Sequence, residues 1–68
     1  MSDAVYRKIE VVGSSETSIE DAIQGAVSRA NKKLRNVEWF EVVETRGHVT
    51  DGKVGHYQVV LKIGFRME

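Results

Sequence analysis

The sequence predicts an α+β protomer of β-α-β-β order, with one helix and a three-stranded antiparallel sheet of order 1-3-2. Three observations predict it. Three segments are rich in β-branched and aromatic residues alternating at strand period, and one segment, between the first two of these, repeats its apolar residues at helical period. Asp51-Gly52, a strong two-residue hairpin signal, joins the last two strands. A helix crossover leaves the first and second strands pointing the same way, so a wholly antiparallel sheet must place the third between them.

The first strand spans 5–12, Val-Tyr-Arg-Lys-Ile-Glu-Val-Val. Ile9 and Val11 share one face; Tyr6, Lys8, Glu10 and Val12 share the other, since successive strand residues face opposite sides. Gly13-Ser14-Ser15 is expected to end the strand with turn chemistry. Thr17-Ser18-Ile19-Glu20 then fits a capping box with Thr17 as N-cap; Ser18 with Asp21 is the alternative one residue later. Ile19, Ala22, Ile23, Ala26, Val27, Ala30 and Leu34 form one apolar stripe, which predicts a helix over about 18–35. Lys32, Lys33 and Arg35 suit the negative end of its dipole, as a solvated basic cluster or as an anion site.

The second strand is expected over 37–49 and the third over 54–67. In the third, Tyr57, Val59, Leu61, Ile63, Phe65 and Met67 make one apolar face, as a central strand should. Taking Asp51 and Gly52 as the turn, Phe40 faces Ile63 and Val42 faces Leu61 on the helix side, where they can cover a core. On the far side Trp39 faces Gly64, Glu41 faces Lys62 as an ion pair, Val43 faces Val60 and Thr45 faces Gln58. Near the turn the same register sets His48 against Gly55 and Gly47 against His56.

Length and composition limit what such a chain does. With 68 residues it is one domain, 1–68, too small to be secure alone, and with no cysteine it has neither disulfides nor thiolate metal sites. Oligomerisation is the remaining common source of stability, so the first partner expected is another copy of itself. Ten basic and ten acidic residues balance, which argues against nucleic acid as a partner. No apolar run nears the ~20 residues of a membrane span, and Met-Ser-Asp-Ala has no signal-peptide character, so an intracellular, cytoplasmic protein is the default expectation. His48 and His56 make no recognisable ligand motif, no metal site is assigned, and no acid–base or nucleophile set suggests catalysis.

Trp39 is the residue this pattern does not absorb. Its parity places it opposite the helix, and Gly64 leaves one side of the indole without a cross-strand neighbour. Glycine inside a strand permits close approach by a ligand or another backbone. Three readings follow: a subunit packs there, a flat ligand stacks there, or a bulge reverses the parity and Trp39 is ordinary core. Trp39 and the Thr45–Gln58 level are six residues apart, about 20 Å at ~3.4 Å per residue, so one small ring system touching both Trp39 and Gln58 must lie between two subunits.

The chain resembles the dodecins, small flavin-binding proteins, over nearly its whole length. The shared markers are Val5-Tyr6-Arg7, Gly13-Ser14-Ser15, Ala22-Ile23-Gln24, Trp39-Phe40-Glu41-Val42, Arg46-Gly47, Tyr57-Gln58-Val59 and Ile63-Gly64-Phe65-Arg66. The resemblance implies a sheet that partly wraps its helix and a hollow shell of twelve copies. It implies paired flavins at two-fold interfaces, each isoalloxazine lying between a tryptophan and a glutamine that match Trp39 and Gln58. Bacterial-type members bind FMN, with riboflavin and FAD as alternative flavins, and the family's motif arginines match Arg66 and Arg46. A guanidinium fork suits a phosphate; Arg66 shares the Trp39 face, whereas Arg46 has helix-face parity and needs a bend or bulge near Gly47. The implied function is non-enzymatic flavin storage and buffering, with quenching of flavin photochemistry by the stacked indole. A coenzyme A or general cofactor carrier and a ligand-free structural oligomer are the alternatives.

Overall fold

In the computed structural model, which describes residues 3–68, the order is β1 (Tyr6–Ser15), α1 (Ile19–Lys33), β2 (Val37–Thr50) and β3 (Lys53–Arg66). The sheet is antiparallel with β3 in the centre, as expected from the crossover. Asp51 and Gly52 close the hairpin with φ of 53° and 75°, the left-handed pair a two-residue turn needs.

The first strand runs past its expected end. Gly13, Ser14 and Ser15 stay in the ladder opposite Val59, Gln58 and Tyr57. Gly13 serves close packing instead of a turn: a Cβ there would collide with the Ala22 carbonyl oxygen and meet Ala26 Cβ at 3.1 Å. The N-cap is Ser18, the alternative, and its Oγ accepts from the Asp21 N–H at 3.0 Å. Ser15 decides this. Its Oγ accepts from the backbone N–H of Thr17 (2.9 Å) and Ser18 (3.3 Å), and donates to Asp21 Oδ2 (2.7 Å), which fixes the chain entering the helix. The helix ends at Lys33, with Leu34 as an extended C-cap, and Arg35 pairs with Glu68 at 3.1 Å.

The core is Ala22, Val59, Leu61 and Ile63, with Ile9, Val11, Ile23, Ala26 and Val27 packed around it. These are the predicted faces of β1, α1 and β3. The expectation that Phe40 and Val42 cover this core is not met. They share the helix side of the sheet, but α1 sits over β1 and β3, leaving Phe40 47% and Val42 44% exposed. Beyond Val37 every residue of β2 is exposed. The β2–β3 ribbon projects past the helix and gives the chain extents of 57 × 20 × 13 Å.

The register holds from Trp39 to Val42 and slips on either side, with Val37 opposite Phe65 and Glu38 the extra residue at the near end. Trp39 pairs with Gly64, Phe40 with Ile63, Glu41 with Lys62 and Val42 with Leu61, as predicted. Val43 then bulges, so Glu44 lies opposite Val60, Thr45 opposite Val59, Arg46 opposite Gln58 and His48 opposite His56. The predicted pairs Val43–Val60, Thr45–Gln58 and His48–Gly55 are therefore wrong by one residue. Gly55 is the extra residue on β3 that restores the register at Val49–Val54.

Candidate functional site

The sheet face away from α1 carries the unusual residues, in two groups. At one end Trp39 lies in β2 with Gly64 beside it in β3 and Lys8 beyond in β1. The indole folds down onto the glycine. A Cβ at Gly64 would overlap Cε2 and Cζ2 of Trp39 and come within 2.6 Å of Cδ2. The close approach that a strand glycine permits is here made by the indole of the same chain. Tyr6 covers it from the first strand, with ring centroids 5.0 Å apart and planes at 67°, an edge-to-face contact. Trp39 nevertheless stays 37% exposed, and no helix residue covers it.

Around this ring the charges are arranged in pairs. Lys8 Nζ donates to Glu41 Oε1 at 2.7 Å, reaching diagonally across the side-chain gap at Gly64. Glu41 was expected to pair with Lys62; Lys62 adds only a weaker attraction. The hydrogen bond from Lys8 and then its charge hold the Glu41 carboxyl below its ordinary value of 4.5. Arg66 extends from the end of β3, opposite Tyr6, with its guanidinium 4.0 Å from Glu38.

The second group is at the other end of the same face. Because of the Val43 bulge, Arg46 is directly opposite Gln58, and its Nε donates to Gln58 Oε1 at 3.0 Å. Its Nη1 donates to Glu44 Oε1 at 2.7 Å. The bulge that Arg46 requires thus exists, at Val43 instead of Gly47. Gln58 is half-buried and its carboxamide is oriented by Arg46.

Of the four predicted site residues, the structure brings Trp39 near Arg66 and Gln58 against Arg46, all on one face. It does not bring the two groups together. Gly64 and Gln58 are six positions apart along β3, about 20 Å. Tyr6, Lys8 and Glu44 were not singled out from the sequence; strand order 1-3-2 with Tyr6 and Lys8 on the Trp39 face was the signal for the first two.

Comparison with known proteins agrees with this fold. The Dodecin family profile matches residues 5–68. The dodecin of Thermus thermophilus is 55% identical over 94% of this chain and 93% of its own. The solved dodecin of Streptomyces coelicolor superposes with a TM-score of 0.93 at 50% identity, covering 100% of this chain and 97% of its own. Calcium dodecin of Mycobacterium tuberculosis is more distant, 31% identical over 94% of this chain and 90% of its own.

Proposed function

This chain belongs to the dodecin family, and from that premise we propose that it is a non-enzymatic flavin-binding oligomer that stores FMN and suppresses its photochemistry. The observation that supports this most is the Trp39 indole, bedded on Gly64 on the helix-free face and only partly covered by its own chain. A planar ring stacked on it would bury surface that the protomer leaves in water.

The residues fit such a ligand. Trp39 offers a flat apolar platform, Gln58 a carboxamide held in orientation, and Arg66 and Arg46 two guanidinium forks for a phosphate. Since Trp39 and Gln58 stand about 20 Å apart in one chain, two chains must each contribute a half-site to each ring. The bound isoalloxazine supplies the light-absorbing, electron-accepting ring system. Trp39 would lie against that ring as the electron-rich side chain able to quench it. Arg66 and Arg46 neutralise the phosphate. Twelve copies forming a closed shell is the assembly this reading adopts.

Among the described residues no group of three or more His, Asp or Glu side chains is arranged to hold a metal ion, so calcium, named in the Mycobacterium relative, has no part in the proposal. The test is gel filtration with a visible spectrum and mass spectrometry of released ligands. The expected product is a yellow particle far larger than one chain, releasing FMN, with both flavin and tryptophan fluorescence quenched. Trp39→Ala should release most of the flavin. A colourless monomer, coenzyme A as the sole released ligand, or full FMN affinity in Trp39→Ala would each end the reading.

A further inference from the structure

Val43 has a second effect, at the outer part of the β2–β3 ribbon. By advancing β2 one residue, the bulge sets His48 directly opposite His56 on the face that carries Trp39. Their imidazoles stack, with centroids 4.3 Å apart and planes only 26° from parallel. His48 is exposed and His56 half-buried in the single chain.

We propose that His48 and His56 form a two-imidazole chelate for a divalent transition-metal ion. Two ligand nitrogens on one ion, each about 2.0–2.1 Å from it, lie roughly 3 Å apart. Rings stacked at 4.3 Å reach that separation by tilting about their side-chain torsions, with no movement of the backbone. The ladder supplies the preorganisation: the two Cα positions are paired directly, with Gly47–Tyr57 next to them on one side and Val49–Val54 beyond the Gly55 bulge on the other.

The surroundings suit a cation. His56 shares a surface depression with Ser14, Ser15 and Glu16, with no basic side chain lining it. Arg46, two residues before His48, has its charge engaged by Glu44 at 2.7 Å and its Nε by Gln58 at 3.0 Å. Glu16 follows Ser15, the last residue of β1, which pairs with Tyr57, so it leaves the sheet beside His56. No third side chain completes a ligand set among the described residues, which leaves the other positions on the ion to water. Imidazole ligands select Cu²⁺, Ni²⁺ and Zn²⁺, with copper held more tightly than zinc, and they discriminate against Ca²⁺ and Mg²⁺, which take oxygen ligands.

The inference does not depend on flavin binding. Its test is calorimetric titration of untagged, chelator-stripped, flavin-saturated protein with Cu²⁺ and with Zn²⁺. One ion per chain is expected, tighter for copper, with affinity falling as pH falls because a ligating imidazole must be neutral. His48→Gln and His56→Gln should each weaken binding at least about ten-fold, the second ligand of a chelate being supplied intramolecularly. The double variant should be little worse than either single one. Both ring proton signals should broaden together under trace Cu²⁺, and neither should move with Ca²⁺. Single variants that keep full affinity, a lone broadened ring, or no uptake at millimolar metal would overturn the assignment.

Discussion

Gly64→Ala isolates the bed on which the Trp39 indole rests. Gly64 does not have a left-handed backbone, so alanine is tolerated there as a residue. Removing glycine restricts the unfolded chain and favours folding by about 0.4–1 kcal/mol. Against that, the new Cβ would lie 2.6 Å from Trp39 Cδ2 and overlap Cε2 and Cζ2. Ordinary carbon contacts need about 3.5–4.0 Å, so the indole must lift by roughly 1 Å or swing aside. Overpacking of this kind costs about 1–3 kcal/mol in a closed core, and the partly exposed Trp39 has room to give way, which places the cost at the lower end. The net effect on unfolding is therefore small. The effect on a ring stacked over the displaced indole is larger, because stacking on an aromatic side chain contributes about 1–3 kcal/mol per ring, or roughly five- to more than a hundred-fold in Kd. FMN fluorescence titration measures the second effect and thermal unfolding of the apoprotein the first. FMN affinity within two-fold of the parent, with an unchanged tryptophan emission spectrum, would refute the reasoning.

Other perturbations separate the remaining parts. Arg66→Ala and Arg46→Ala should each weaken FMN about ten-fold or more, from lost charge-assisted bonds of about 1.5–3 kcal/mol. Riboflavin, which has no phosphate, should bind as before; equal losses for both ligands in parallel titrations would remove the arginines from phosphate recognition. The Glu41 carboxyl is held low by Lys8, so the bridge contributes stability above the ordinary carboxyl value and loses it as pH falls through the lowered one. Carbon-13 titration should place the Glu41 midpoint below 4.5 and move it upward in Lys8→Met, with a small change in stability because the pair is solvated. Gly13→Ala should destabilise the fold by about 1–3 kcal/mol, read by denaturant unfolding, since its Cβ collides with the Ala22 carbonyl on the helix.

Much of this architecture was legible from periodicity. The order of elements, the central third strand, the Asp51-Gly52 turn and the Trp39–Gly64 pairing follow from alternation and turn chemistry alone. The middle of the ribbon was not legible, for a specific reason. Two of the three irregularities cancel: Gly55 adds a residue to β3 and Val43 adds one to β2, so the register reads correctly at Val49–Val54 and again from Val42 to Trp39 while residues 44–48 are displaced; a third, at Glu38, shifts Val37 to Phe65. A glycine in a strand is a known bulge signal, but Val43 is a β-branched residue in a valine pair and gives none. Arg46 thus seemed to face the helix although it lies against Gln58. The helix cap was ambiguous because Thr17 and Ser18 each have an acidic residue three positions on. Ser15, whose hydroxyl settles the choice, lies outside the capping pattern. The bare helix side of β2 was hidden as well: parity tells which side a residue faces, but not how far a 15-residue helix reaches across three strands.

A strand that buries no residue and leaves all but its first in the exposed class gains little from the hydrophobic effect while the chain is alone. In the assembly proposed above, the neighbouring chain that covers it enters the folding equilibrium as a reactant. The unfolding midpoint should then climb with total protein, and dilution should act on this molecule much as mild denaturant acts on others. Stability figures for it have meaning only when quoted together with the amount of chain in the tube.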